Sequence, residues 1–292
     1  MEDDTNKLEK KEKIYNILFS ISSIAYFIIF MTCTMLLARY ILNKNIFNLG
    51  ADWNYAICNG VLYTLGLFVP LVIFILVFKT KISFHFFKKD NVKSLSKNLL
   101  LSLLLGITLQ FVGMGISGLT ALIIKNNTAT DFASELGTVN HPLLLCLTIA
   151  IFPAVMEELV FRGIIFKNAR KKFSAIISAL ISGFAFGIYH LDIQQFAYAF
   201  ILGIAFALIY EKTKNIFDVI IIHFVIDFSQ LYLALGILNM QDVNVEDEIS
   251  DTATVYSTIV MCIMLLLIFV PISISLYKKY NSFEDNLEIE NK

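Results

Sequence analysis

Charged residues are scarce in this chain. Asp, Glu, Lys and Arg make up 16% of its 292 residues, against about 25% in soluble domains. Hydrophobic residues reach 57%, where soluble domains hold about 45–50%, and mean hydropathy is +0.72. That shortage of charge excludes soluble enzymes, secreted disulfide-knit domains and disordered regulators. An integral membrane protein is what remains. An excess of basic charge is missing too: Lys+Arg is 23, Asp+Glu is 24 and the net charge is −1. No basic stripe is available for a nucleic acid, so no nucleic-acid partner is expected. Cysteine is sparse. Cys33, Cys58, Cys146 and Cys262 each lie in an apolar stretch without C-x-x-C spacing, which reads as buried small residues rather than a disulfide framework or thiolate zinc site. Neither H-E-x-x-H nor G-x-S-x-G occurs, so the common zinc-protease and serine-hydrolase patterns are absent. There is no internal repeat, low-complexity tract or separate soluble domain.

What is present is a series of long apolar runs. A spanning helix needs about 20 mostly apolar residues. Eight runs qualify, at about 14–42, 55–78, 99–124, 142–166, 173–190, 195–210, 216–239 and 254–277. The first is too long for a signal-peptide core and no small-x-small site follows it, so it reads as an uncleaved helix. The fifth and sixth are short and joined by few residues, so half-spanning or tilted helices are expected there. The predicted fold class is therefore all-α: a polytopic membrane protein of about eight helices with its site inside the bundle. Gly113, Gly115 and Gly118 lie inside an apolar helix with no strand before it, which excludes a dinucleotide loop. With the pair Gly183 and Gly187 they read as close helix packing.

Alternate loops are basic. Lys7, Lys10, Lys11 and Lys13 precede the first run. Lys79, Lys81, Lys88, Lys89, Lys93 and Lys97 lie between runs two and three. Lys167, Arg170, Lys171 and Lys172 follow run four, Lys212 and Lys214 follow run six, and Lys278 and Lys279 follow run eight. The opposite loops hold only Lys44 and Lys125, and the loop after run seven has Asp242, Glu246, Asp247, Glu248 and Asp251 with no base. By the positive-inside rule both termini are expected in the cytoplasm, and the cell membrane is the expected location. Four segments follow: a disordered N-terminus at 1–13, the first three helices at 14–141, a core at 142–239, and an acidic loop, last helix and tail at 240–292 (281–292 also reading as disordered).

Ionisable side chains inside an apolar run mark function by default. They cluster: Glu157, Glu158 and Arg162 in run four, His190 and Asp192 at the end of run five, and Asp218, His223 and Asp227 in run seven. Arg39, near the end of run one, reads as a snorkelling side chain. Glu158 and Arg162 stand four apart with the acid first, the favourable order for a helical ion pair. Glu157 points about 100° away, and Phe161, its own fourth neighbour, cannot neutralise it. A paired and an unpaired glutamate are thus expected, the second suited to a general base. Pro153, four residues earlier, predicts a kink near Glu157. His223 and Asp227 share a helix face, and Phe186 sits one turn from His190 as a shield for its ring. These side chains suffice for water activation and oxyanion stabilisation. His190, His223 and the Glu157 carboxylate equally suffice as zinc ligands.

The pattern resembles a known family. Glu157-Glu158-Leu-Val-Phe-Arg162 resembles the EExxxR motif of the CPBP (Abi) family. These are the CAAX-processing and bacteriocin-processing intramembrane endopeptidases, related to the Rce1-type prenyl-protein peptidases. Phe186-Gly-Ile-Tyr-His190 matches that family's FxxxH motif, and His223-Phe-Val-Ile-Asp227 its HxxxN or HxxxD motif. The resemblance covers about residues 142–230 and implies proteolysis at or within the membrane. By analogy Glu157 and His190 activate water, His223 and Asp227 stabilise the oxyanion, and Glu158 and Arg162, with Phe186, support the site. It implies no cofactor, with zinc as the alternative. The implied partners are the lipid bilayer and a peptide or membrane-anchored protein substrate, in bacteriocin processing, self-immunity or CAAX-type processing. A non-catalytic scaffold and an ion-coupled transporter are the competing readings. Transport predicts repeated halves with matching helix breaks, and the polar groups all lie between 157 and 227. One tension stands. At 1.5 Å per residue His190 falls near the outer end of a full fifth span, whereas His223 falls about ten residues or fewer into the seventh from the cytoplasmic side. A shared site requires a tilt, a short span or a re-entrant segment.

Overall fold

A computed structural model describes residues 92–124, 141–238 and 252–280, with isolated positions between 11 and 76. Most of the first two expected spans, the two terminal tails and the acidic loop after the seventh run lie outside the described residues. Among the described residues all regular structure is helical. Helix α1 is Val92–Ile124. A long interrupted helix follows, built from α2 (Pro142–Leu145), a π-helical segment Cys146–Ile151, α3 (Phe152–Val160), a second π segment Phe161–Phe166, and α4 (Lys167–Arg170). Then come α5 (Ala175–Tyr189), α6 (Ile193–Thr213), α7 (Ile216–Leu238) and α8 (Thr252–Lys278).

Five described helices are long and apolar enough to cross a membrane: Lys97–Ile124, Leu143–Arg170, Ile193–Thr213, Ile216–Leu235 and Ala253–Lys278. Helix α5 is apolar but only 15 residues long, about 22 Å, against a hydrocarbon core of about 30 Å. The expectation of a short fifth helix holds. The sixth is longer than expected, at 21 residues, and can span. The predicted kink is relocated: the helix widens before Pro153 and again after Val160, on both sides of Glu157. A proline lacks the N–H of a regular turn and crowds the carbonyl four residues back. A π-helical turn just before it accommodates both defects.

Local chemistry sets the helix ends. Ser174 caps α5 by accepting from the Ile177 N–H at 3.4 Å. Asp192 caps α6 by accepting from the Gln195 N–H at 2.7 Å, so this acid serves as a cap. Asn215 Oδ1 accepts from the Phe217 N–H at 3.1 Å as α7 begins. The turns on either side of α6 carry Leu191 at φ 54° and Lys214 at φ 53°, the left-handed region that β-carbons disfavour.

The core has two main parts. One joins Leu101, Leu105 and Leu109 of α1 to Leu202, Phe206 and Tyr210 of α6 and Val219, Ile222 and Ile226 of α7. The other joins Met156, Val160 and Phe161 to Ala185, Phe186 and Tyr189 of α5 and Ala199 of α6. Helix α8 leans on α1 through Phe111 and Phe269, stacked at 4.3 Å. It leaves Val260, Met261, Met264 and Leu267 exposed, as a lipid-facing helix does. The basic ends meet: Arg170 binds Glu211 at 2.9 Å, Lys214 binds the same carboxylate at 2.7 Å, and Lys212 Nζ donates to the Tyr277 carbonyl at 2.9 Å. Tyr280, just past α8, shares a 2.8 Å hydrogen bond with Ser102. Burial pushes its phenol well above the ordinary tyrosine range.

The expected close packing of small residues is present. A β-carbon on Gly183 would meet Ile204 Cγ1 and the Phe200 carbonyl oxygen at 2.8 Å, and one on Gly187 would meet the Phe196 ring at 2.9 Å. Gly118 and Gly115 face Cys262 and Leu266 of α8. Substituting Gly183→Ala is expected to force α5 from α6 and cost about 1–3 kcal/mol, read as a lower unfolding midpoint in detergent. Leu191→Gly is expected to raise that midpoint by relieving about 1–2 kcal/mol of backbone strain.

Candidate functional site

The interrupted helix delivers three charged side chains to the centre of the bundle. Glu157, Glu158 and Arg162 are 2%, 0% and 0% exposed. The Arg162 guanidinium donates to Glu158 Oε1 at 2.7 Å and to the Gly203 carbonyl at 3.1 Å. It lies between two rings, 4.8 Å from the Phe186 centroid and 5.0 Å from that of Phe206, an arrangement that adds cation–π attraction. The ion pair expected from the spacing is present.

From α7, His223 closes the group. Its Nδ1 donates to Glu158 Oε1 at 2.8 Å. Its Nε2 lies 3.6 Å from Glu157 Oε2 and 3.4 Å from Asp227 Oδ2. One glutamate oxygen thus ties Arg162 to His223, and one imidazole edge faces two further carboxylates. A ring with acids at both nitrogens is arranged to donate from both. The expectation that Glu157 lacks a partner is corrected: α7, more than sixty residues away in the chain, supplies His223, which no intrahelical spacing reveals. Asp227 is the most open carboxylate of the set, with 18% side-chain exposure.

His190 ends α5. Its ring packs edge-on against Phe186 at 5.0 Å and lies 5.4 Å from Tyr189. The same Phe186 ring packs edge-on against His223 at 5.6 Å. Phe186 therefore shields His190 as expected, and it also joins that histidine to the second one and to Arg162. For the tension over depth, α5 has only 15 residues, and both histidine rings pack on the one Phe186 ring. Asp218 stays apart: it is buried in the first turn of α7 beside Ser102, Thr213 and Asn215.

Several contributors carried no ionisable signal. Gly203 presents the carbonyl that Arg162 binds, and a β-carbon there would come 2.8 Å from Gly183 Cα. Ser182 donates to the Phe161 carbonyl at 2.9 Å, where the second π segment begins. Phe206 lies 5.2 Å from the His223 ring. Only an unexplained glycine in an apolar helix pointed at any of these. Among the described residues no three His, Cys, Asp or Glu side chains are gathered as a metal-ligand group. Glu157, His190 and His223 thus do not fit a zinc ion as placed.

Residues 139–229 match the model of the type II CAAX prenyl endopeptidase Rce1-like family. Over 82 residues the chain is 34% identical to a protein of Bacillus subtilis (strain 168) named "Putative membrane peptidase YdiL", covering 28% of this chain and 33% of the relative. The chain spans about a third of the length of that curated relative. No solved structure matches it significantly. The matched segment contains all three motifs singled out from the sequence.

Breaking the central pair strands a buried charge. Arg162→Ala is expected to cost about 3–5 kcal/mol. The double substitution Arg162→Ala with Glu158→Ala is expected to cost less than the sum of the two singles. Unfolding midpoints of the four proteins in one detergent test this; simple additivity would contradict the coupling.

Proposed function

With residues 139–229 a segment of the Rce1-like, CPBP type, we propose that this protein is an intramembrane endopeptidase. Its substrate is a peptide bond in a membrane-associated peptide or protein, and its nucleophile is a water molecule activated by Glu157 with His190. The observation that carries this reading is the buried His223 imidazole. It is held by Glu158 at 2.8 Å and aimed at Glu157 and Asp227. In an apolar bundle such a group is costly to assemble, which supports a catalytic role for it.

In this reading Glu157 is the general base and His190 orients the water. The Glu157 carboxylate is not consumed by the ion pair, because Arg162 binds Glu158. His223 donates from Nε2 toward the oxygen of the scissile carbonyl, and Asp227 orients the ring. Glu158 fixes Nδ1, which leaves Nε2 facing the reaction. Phe186 and Phe206 close the rest of the site to solvent, which strengthens every electrostatic contact inside it. The basic ends of α4, α6 and α8 lie together and are assigned to the cytoplasmic face of the cell membrane.

The test is cleavage by the purified full chain in detergent. The panel holds a farnesylated CAAX peptide and double-glycine-type leader peptides. Glu157→Gln and His190→Ala are each expected to lower kcat by about 10²–10⁴-fold. Cleavage is expected to survive a chelator. Loss with chelator and recovery with zinc would instead make Glu157, His190 and His223 metal ligands. The scaffold and transport readings both predict no cleavage, and the scaffold reading predicts that Glu157→Gln leaves the cellular phenotype intact.

A further inference from the structure

Hydrogen-bond donors are few in this site. Glu157, Glu158 and Asp227 offer acceptors. The Arg162 Nη groups are committed to Glu158 and the Gly203 carbonyl, and Arg162 is 0% exposed. His223 Nδ1 is committed to Glu158. With His190 assigned to the water and Arg162 Nε buried on a side chain with no exposure, a carbonyl oxygen turning into an oxyanion beside His223 would meet its Nε2 and, otherwise, carboxylates. Hydrolysis at such a centre calls for a second, neutral donor.

Helix α6 carries one. At 100° per residue, Gln195, Tyr198, Leu202 and Phe206 fall within an arc of about 80°. Phe206 in that stripe touches His223, so the stripe faces the site. Tyr198 packs against both parts of the core, at the junction of α3, α5, α6 and α7. The Gln195 side chain is hydrogen-bonded to its phenol, which also feels the charges of Asp227, Asp192 and Glu157. A phenol oxygen that accepts from an amide keeps its own O–H for another acceptor, and donates better for it.

We propose that the Tyr198 hydroxyl is the second donor to the oxyanion, a catalytic residue outside the three motifs. The assignment rests on the peptidase reading above. Glu157 takes a proton from water as the water oxygen bonds to the carbonyl carbon. The carbonyl π pair moves onto oxygen, which accepts hydrogen bonds from Tyr198 and His223 without taking their protons. That pair then re-forms the C=O bond, the C–N bond breaks, and the Glu157 proton passes to the leaving amine. The products are one carboxylic acid and one amine.

The experiment compares wild type, Tyr198→Phe, Asp227→Asn and the double variant on the same peptide panel, with unfolding midpoints measured beside the kinetics. Tyr198→Phe is expected to lower kcat by about 10²–10³-fold with KM changed by less than about twofold. Asp227→Asn supplies an amide donor, so the double variant is expected to recover part of that kcat. Wild-type kcat in Tyr198→Phe, beside an active wild type, overturns the assignment and leaves the peptidase reading standing. A raised KM with a lowered midpoint and unchanged kcat overturns it in favour of packing. A wild type that cleaves nothing in the panel overturns the peptidase reading, and the Tyr198 assignment with it.

Discussion

A guanidinium with no exposure to solvent must be neutralised and hydrogen-bonded where it lies, and the arrangement around Arg162 follows from that requirement. Glu158 supplies the charge. The Gly203 carbonyl supplies a further acceptor, and the Phe186 and Phe206 rings supply polarisable walls. Each of these brings a helix with it. Glu158 carries the interrupted helix, Phe186 carries α5, and Gly203 and Phe206 carry α6. Through the same Glu158 oxygen the constraint extends to His223 on α7. Four helices are thus located by one cation.

That cation imposes conditions on residues that hold no charge. Gly203 can present its carbonyl only if α6 lies close to α5, and Gly183 makes the approach bearable. The two π-helical segments bracket the acid pair, and Ser182 bonds to the carbonyl at the start of the second. Widened turns at functional positions are a recurrent use of this geometry. Phe186, at the end of the short α5, then holds the His190 ring on one side and the His223 ring on the other.

The polar part of the site was readable early because bilayer-buried charge is rare. The pairing of Glu158 with Arg162 followed from helical spacing alone. The state of Glu157 did not, since its neighbour His223 comes from a helix sixty-odd residues away. Phe186 was legible as a shield for one histidine, yet its contact with the other and with Arg162 required the packing of α5 against α6 and α7. Span lengths were legible within a few residues for the described helices. The shift of the break from Glu157 to its two flanks was not, because a proline marks a defect without saying how the chain absorbs it.

The amino-acid sequence alone determined the membrane character, the all-helical class and the identity of the charged residues, because apolar content and 3.6-residue spacing are local properties. It also determined one ion pair, whose partners share a single helix. Tertiary structure decided that Glu158 serves two partners at once, that Glu157 faces an imidazole, and that Gly203, Ser182 and Tyr198 belong to the same region. These contacts join side chains and carbonyls from different helices. Their distances depend on how closely the helices approach, and no local periodicity encodes that.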